Sequence, residues 1–295
     1  MGQLAFWEAE AERAPFVVNV AQIPQRTPLR YPGGKTWLIP HVRAWLRSLP
    51  KRPKLFIEPF VGGGIVSLTV AFEDLADRVM MVELDHQVAA LWKTILSDDN
   101  EWLADQVLSF DITLESVKAE LAKTPQDDKQ LAFHTLLRNR TNHGGILAPG
   151  SGVLKYGENG KGIRSRWYPQ TLWKRIRNIA SVKDKISFVE GDGIEVIKRH
   201  ARHKTSVFFI DPPYTAAGKR AGSRLYTHSE LDHQELFEQS EKIKGDFLMT
   251  YDTADEVVAM AHDHGFSVGM VSMKNTHHST MKELVIGRKL EWVQK

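Results

Sequence analysis

The chain of 295 residues contains no cysteine. That excludes disulfides, thiolate zinc sites and thiol nucleophiles, and with them any group transfer through a covalent cysteine adduct. Long apolar runs are missing too: nothing approaches the ~20 residues of a membrane-spanning helix. The opening MGQLAFWEAEAERAPF has no basic stretch followed by an apolar core, and Phe6 stands where a myristoylation signal needs Ser or Thr. A cytoplasmic location is expected. Internal repeats are also absent.

What is present is ordinary in bulk: 42% hydrophobic and 25% charged residues with a net charge of +3, enough for a large α/β domain carrying an insertion. The charge is uneven. Between Arg138 and Arg177 stand nine Lys/Arg and one acid, Glu158. That segment is +8, which leaves −5 on the rest. A basic block in an otherwise acidic chain points to a polyanion partner.

Apolar runs at 54–58, 78–84, 186–190 and 206–211 read as buried strands, followed by 247–252, 266–273 and 282–288. Helical patterns at 35–48, 64–76, 86–97, 193–203, 230–243 and 254–263 separate them. This alternation predicts βαβ units and a mostly parallel sheet. The loop NTHHST (275–280) is too short for a crossover helix, so the last two strands are expected to form an antiparallel hairpin. The rhythm breaks over 98–180, with helical patterns at 101–109, 114–123 and 127–139 and then a glycine-rich stretch. This reads as an insertion with a loop or hairpin at its tip. The expected organisation is an extension over 1–27, an α/β domain over 28–97 and 181–295, and the insertion over 98–180.

Four stretches carry chemistry. IEPFVGGGIVSL (57–68) is a strand, a glycine turn and a helix, a form that brings backbone close to a ligand and leaves helix N–H groups for it. Its spacing, Gly62-x-Gly64-x-x-Ser67, lacks the third glycine of the dinucleotide fingerprint, which argues against a nicotinamide oxidoreductase. Glu83 ends the next strand, where a carboxylate accepts from two ribose hydroxyls, with Asp85 as a nearby alternative. RYPGGK (30–35) places a ring, Tyr31, and a charge, Lys35, around a Gly33-Gly34 turn. Asp192, in EGD, can cap a helix and also meet the exocyclic amine of an adenine-type ring.

The most specific stretch is FFIDPPY (208–214). Phe208, Phe209 and Ile210 end an interior strand. Pro212 and Pro213 cannot continue it, because neither has an N–H to give. Asp211 and the Pro212 carbonyl can both accept from one –NH₂ group, and Tyr214 offers a face for a flat ring. A base amine inside a duplex is paired, so an enzyme acting on it must flip the base out, at a few kcal/mol that aromatic stacking offsets.

RYPGGK, EPFVGGG, ELD, EGD and DPPY, in this order, resemble the Dam-like (D12, alpha-group) adenine-specific DNA N6-methyltransferases, over about residues 29–290. NRTNHGG (139–145) and RSRWYP (164–169) are similar to landmarks of that family's recognition region. SELDHQELF (229–237) and MKELVI (281–286) are similar to its later segments. The resemblance implies a Rossmann-like class I methyltransferase sheet with an inserted target-recognition subdomain. It implies S-adenosylmethionine as methyl donor, with no metal. Its pocket would comprise Tyr31, Gly33, Gly34, Lys35, Glu58, Pro59, Phe60, Gly62, Gly64, Glu83, Asp192, Gly193 and Asp211. Asp211, Pro212, Pro213 and Tyr214 would act on the target adenine of double-stranded DNA. Expected DNA contacts are Arg30, Arg138, Asn139, Arg140, Asn142, His143, Lys155, Lys161, Arg164 and Arg166, with Lys219, Arg220 and Arg224 in the loop after DPPY. The chain is expected to act as a monomer or homodimer in a bacterial or phage setting, associated with the nucleoid through DNA. Alternatives are an RNA adenine methyltransferase and a non-catalytic regulator that binds cofactor and DNA. Cytosine N4 and protein glutamine as substrates lose ground, because such enzymes usually carry Ser or Asn where Asp211 stands.

Overall fold

Strand β4 (Ser206–Ile210) is buried at every position, as expected in the middle of a sheet covered on both faces. Val207 and Phe209 join one hydrophobic cluster, and Phe208 and Ile210 another. A strand's period of two deals alternate side chains to opposite faces. The structure is a computed structural model and describes residues 22–31, 33–147, 151–154, 157, 160–213, 231–274 and 280–294.

The other strands are β1 (Leu55–Glu58), β2 (Arg78–Glu83), β3 (Ile186–Glu190), β5 (Asp246–Asp252), β6 (Ser267–Lys274) and β7 (Thr280–Gly287). All seven form one sheet in the order β3-β2-β1-β4-β5-β7-β6. The first five are parallel, while β7 runs antiparallel to both β5 and β6. The expected α/β class and the C-terminal hairpin are therefore observed. The hairpin folds back so that β7, last in the chain, sits inside the sheet.

Helices α1 (Ile39–Ser48), α2 (Ile65–Phe72) and α3 (His86–Leu96) cover one face. The insertion follows with α4 (Asn100–Ser109), α5 (Leu114–Leu121), α6 (Asp128–Thr141) and α7 (Pro169–Ala180). Helices α8 (Gly193–His200), α9 (His233–Glu241) and α10 (Asp255–Asp263) cover the other face.

Two features of the insertion differ from expectation. Helix α7 lies in a stretch with no predicted helix. Its signal is there: Pro169 at the first turn and buried Leu172, Ile176 and Ile179 at helical spacing. Lys174, Arg175 and Arg177 drew the reading toward charge instead of period. At the tip, expected as a loop or hairpin, the described residues include an isolated antiparallel bridge between Asn142 and Val153. The insertion also shares its core with the sheet: Leu103, Val107, Leu136, Leu172 and Ile176 belong to the same buried cluster as Phe56 and Phe209. Residues 97 and 98 thus divide the chain without dividing the core.

The strand order reverses direction between β1 and β4, which leaves a crevice beyond their carboxyl ends, the standard ligand position in such sheets. No helix among the described residues is long and apolar enough to cross a membrane.

Candidate active site

All thirteen residues expected around the cofactor, together with Pro212 and Pro213, line one cleft of about 1030 Å³ including its open mouth. It lies at the carboxyl ends of β1, β2 and β4. Its floor is the turn after β1. Gly62 and Gly64 have φ of +43° and +65°, a region that L side chains rarely occupy. Space forbids a side chain as well: a Cβ on Gly62 would stand 2.6 Å from the Tyr31 ring, and one on Gly64 2.7 Å from Trp92. The Trp92 indole N–H donates to the Gly62 carbonyl at 2.9 Å and pins the turn from beneath. Where a dinucleotide fold would place its third glycine, Ser67 is buried and gives its backbone N–H to Glu58 Oε2 at 2.9 Å.

Two carboxyl groups in the wall are held close to neutral. Burial pushes Glu83 up to about 7, against the pull of N–H groups from Asp85, Gly62 and Leu84. Its Oε1 accepts from Leu84 and Asp85 at 3.0 Å each, and its Oε2 from Gly62 at 2.9 Å. Glu83 therefore ties β2 to the glycine turn as well as facing the cleft. Burial likewise pushes Glu58 up to about 8; hydrogen bonds from Ser67 oppose this and the charge of Asp211 adds to it. Asp85 caps α3 through the Gln87 and Val88 N–H groups, and Asp192 caps α8 through that of Ile194. Both still line the cleft. Leu84 was not anticipated. It is 47% exposed beside the cleft, and its signal was an apolar side chain set between two acids.

Asp211 stands at the end of β4, next to Lys35, a cation that the family resemblance places in the cofactor pocket. Lys35 Nζ lies 2.9 Å from Asp211 Oδ1 and 3.1 Å from Glu283 Oε1, and it donates to the Gly33 carbonyl at 2.9 Å. Burial alone would lower the Lys35 pKa. The charges and hydrogen bonds of Asp211 and Glu283 outweigh it and hold the ammonium firmly protonated. Thr250, on β5, donates its hydroxyl to Asp211 Oδ1 at 2.7 Å. Beside it Tyr251 is fully buried with its hydroxyl 2.8 Å from His233 Nδ1. Burial and the charge of Asp211 raise the Tyr251 pKa. Neither Thr250 nor Glu283 was anticipated as a site residue, because adjacency across a sheet leaves no trace in local spacing.

The expected DNA contacts divide sharply. Asn139 is fully buried: its side chain accepts from the Arg30 N–H and donates to the Arg30 and Gly145 carbonyls. Arg140 is buried and donates to the Pro28 carbonyl. Burial, then the neighbouring charges of Arg175, Arg30 and Arg166, bring its pKa down to about 9. Asn142 is buried and bonds Ile146 and Ser151. Arg138 donates to Gln87. Arg138, Asn139 and Arg140 thus tie the 98–180 segment to residues outside it, and Asn142 bonds within it. Arg30, His143, Lys161 and Arg164 are exposed and Arg166 is half-buried. Tyr214, Lys155, Lys219, Arg220, Arg224 and residues 275–279 of the NTHHST tip lie outside the described residues.

The model of the D12 class N6 adenine-specific DNA methyltransferases matches residues 31–275. The chain is 24% identical over 227 residues to the type II methyltransferase M.MjaIII of Methanocaldococcus jannaschii, covering 69% of this chain and 74% of that one. It is also 24% identical over 255 residues to the DNA N-6-adenine-methyltransferase of Escherichia phage P1, covering 83% of this chain but 32% of the phage protein. Among solved structures, the precorrin-6y C5,15-methyltransferase of Geobacter metallireducens is similar at 12% identity and a TM-score of 0.38, over 86% of this chain and 88% of that one. With the family model spanning most of the chain, this protein belongs to the D12 class of N6 adenine-specific DNA methyltransferases, and its reaction is methylation of adenine N6 in DNA.

Proposed function

We propose that the cleft binds S-adenosylmethionine and that Asp211, with Pro212 and Tyr214, receives the amine of an adenine flipped out of duplex DNA. One observation carries the reading. The acid that ends β4 is held rigidly, by Lys35 and Thr250, at the edge of a cleft built on a glycine turn. The cleft suits this cofactor in shape and donor set. Cβ atoms at Gly62 and Gly64 would strike Tyr31 and Trp92. Glu83 Oε2 takes one N–H, from Gly62, and keeps acceptor capacity for ribose hydroxyls. Leu84 and Phe60 offer apolar surface for an adenine ring, and Asp192 an acceptor for its amine. Lys35 is committed to protein carboxylates, so its part is to hold Asp211.

When bound, S-adenosylmethionine would supply an electrophilic sulfonium methyl to the N6 lone pair, leaving as the neutral thioether while N6 gives up one proton. Asp211 accepts a hydrogen from N6, fixes the direction of the lone pair and favours the positive charge that develops on nitrogen. Its carboxylate is the group placed to take the departing proton. Lys161, Arg164 and Arg30 present exposed positive charge, with His143 exposed as a further polar group, and supply phosphate contacts.

Tritium transfer from labelled cofactor to duplex DNA and to RNA tests the substrate, with N6-methyladenine as the expected product in DNA alone. Asp211→Ala is expected to lose turnover while S-adenosylhomocysteine still binds in calorimetry. Preferred labelling of RNA, or turnover retained in Asp211→Ala, would overturn the reading.

A further inference from the structure

Lys35 joins segments that are remote in the chain: the Gly33 turn, Asp211 after β4 and Glu283 on β7. An ammonium carries three hydrogens, and three acceptors stand at 2.9, 2.9 and 3.1 Å. Two of them are carboxylates. Asp211 also receives the Thr250 hydroxyl, so its orientation is determined from two directions.

We propose that Glu283 is a positioning residue for methyl transfer, dividing the Lys35 ammonium between two carboxylates so that Lys35 orients Asp211 without neutralising it. This rests on the reading of Asp211 as the acceptor for the target amine. That role makes two demands on the carboxylate. It must stay in one place, which a lysine ensures. It must also stay negative toward a nitrogen gaining positive charge, which a lysine paired with it alone would counteract. A second carboxylate on the same ammonium reconciles the two.

The setting of Glu283 supports this. It lies on an interior strand, paired across to Asp252 on one side and Val271 on the other, and is only 6% exposed. A charge there is costly to desolvate, and well-packed apolar side chains serve stability as well or better than a buried ion pair. Lys282 before it is exposed, whereas Leu284 and Val285 after it are apolar and buried, so Glu283 carries its charge into the buried part of the strand.

The test compares Glu283→Gln, Glu283→Asp, the double variant Lys35→Met/Glu283→Gln, and Asp211→Ala. Methyl transfer kinetics, S-adenosylhomocysteine affinity by calorimetry and Tm are measured on each. Glu283→Gln is expected to lower kcat roughly 10- to 100-fold, with KM and product affinity within about threefold. Glu283→Asp, which keeps the charge, should retain most of kcat. The double variant should be faster than Glu283→Gln by at least about threefold, because removing the lysine returns full charge to Asp211 while the Thr250 hydroxyl still holds it. A merely structural role predicts the opposite, a double variant slower than Glu283→Gln, and this comparison decides even if Tm falls in Glu283→Gln. A Glu283→Gln kcat within about twofold of the parent, or a double variant no faster than the single, would overturn the inference. If Asp211→Ala remains active, the underlying reading fails. If Asp211→Ala is dead and Glu283→Gln unaffected, this inference alone fails.

Discussion

The cleft and the basic segment 138–177 both stood out in the sequence, yet they relate to the fold in opposite ways. In the cleft, residues singled out by motif converge on one cavity. In the basic segment, residues singled out by charge scatter between interior and surface. Arg140 and Arg138 give their hydrogen bonds to Pro28 and Gln87, Arg175 to Thr27, and Arg177 to Asn100 and Glu101. Lys161 is simply exposed. Motifs encode geometry, because glycine and proline act on the backbone wherever they occur. A count of charges encodes a total, and totals do not distinguish a cation that binds a carbonyl from one that waits for a phosphate.

The comparison can be broken by mutation, beginning with the largest expected effect. Gly64→Val forces a branched side chain into positive φ and against Trp92, and is expected to cost about 2–5 kcal/mol. Chemical denaturation would show it, and an unchanged midpoint would mean that the turn relaxes freely. Arg140→Ala removes the partner of the Pro28 carbonyl and should cost about 1–3 kcal/mol, seen in Tm before any change in DNA affinity. A variant with normal Tm and weakened DNA binding would return Arg140 to the recognition surface. Lys161→Ala is the smallest perturbation to the fold, within about 0.5 kcal/mol. Its effect belongs in the salt dependence of DNA binding, whose log–log slope should flatten by about 0.9 if one phosphate contact is lost. An unchanged slope would exclude Lys161 from contact with DNA.

Acidity sharpens the same contrast. The folded chain holds the Glu58 proton up to about pH 8, whereas an unfolded chain releases it near 4.5. Between those values the native state binds more protons, so this group's contribution to stability declines as pH rises. Glu58→Gln has no proton to lose. Its Tm relative to the parent should therefore climb from pH 5 to pH 8, and a flat difference would place the Glu58 pKa near the ordinary carboxylate range.

Much of the architecture was legible. Strands of four to eight apolar residues alternating with helical patterns announced the parallel sheet, and the short 275–280 connection announced the hairpin. The break in rhythm after residue 97 was legible, but helix α7 was not, since a basic surface hid the Leu172-Ile176-Ile179 stripe. In the site, Asp211, Glu83 and the glycine turn were visible because each combines a chemical group with a strand end. Thr250, Glu283 and the pairing of Lys35 with Asp211 were not. They come together only after β5 has been laid beside β4 and β7 beside β5, a relation that depends on sheet order and register.

That dependence has a kinetic side. Residues 55–57 pair with 206–208, and Lys35 meets Glu283, so the contacts that complete the cleft join segments far apart in the chain. Closing such long loops is slow compared with forming a helix or a hairpin. During synthesis the glycine turn emerges some 150 residues before the acid that faces it, and Glu283 follows near the end of the chain. A nascent chain therefore has little with which to grip its cofactor. Ligand binding should reward only the finished fold, protecting it against unfolding while leaving the rate of folding untouched.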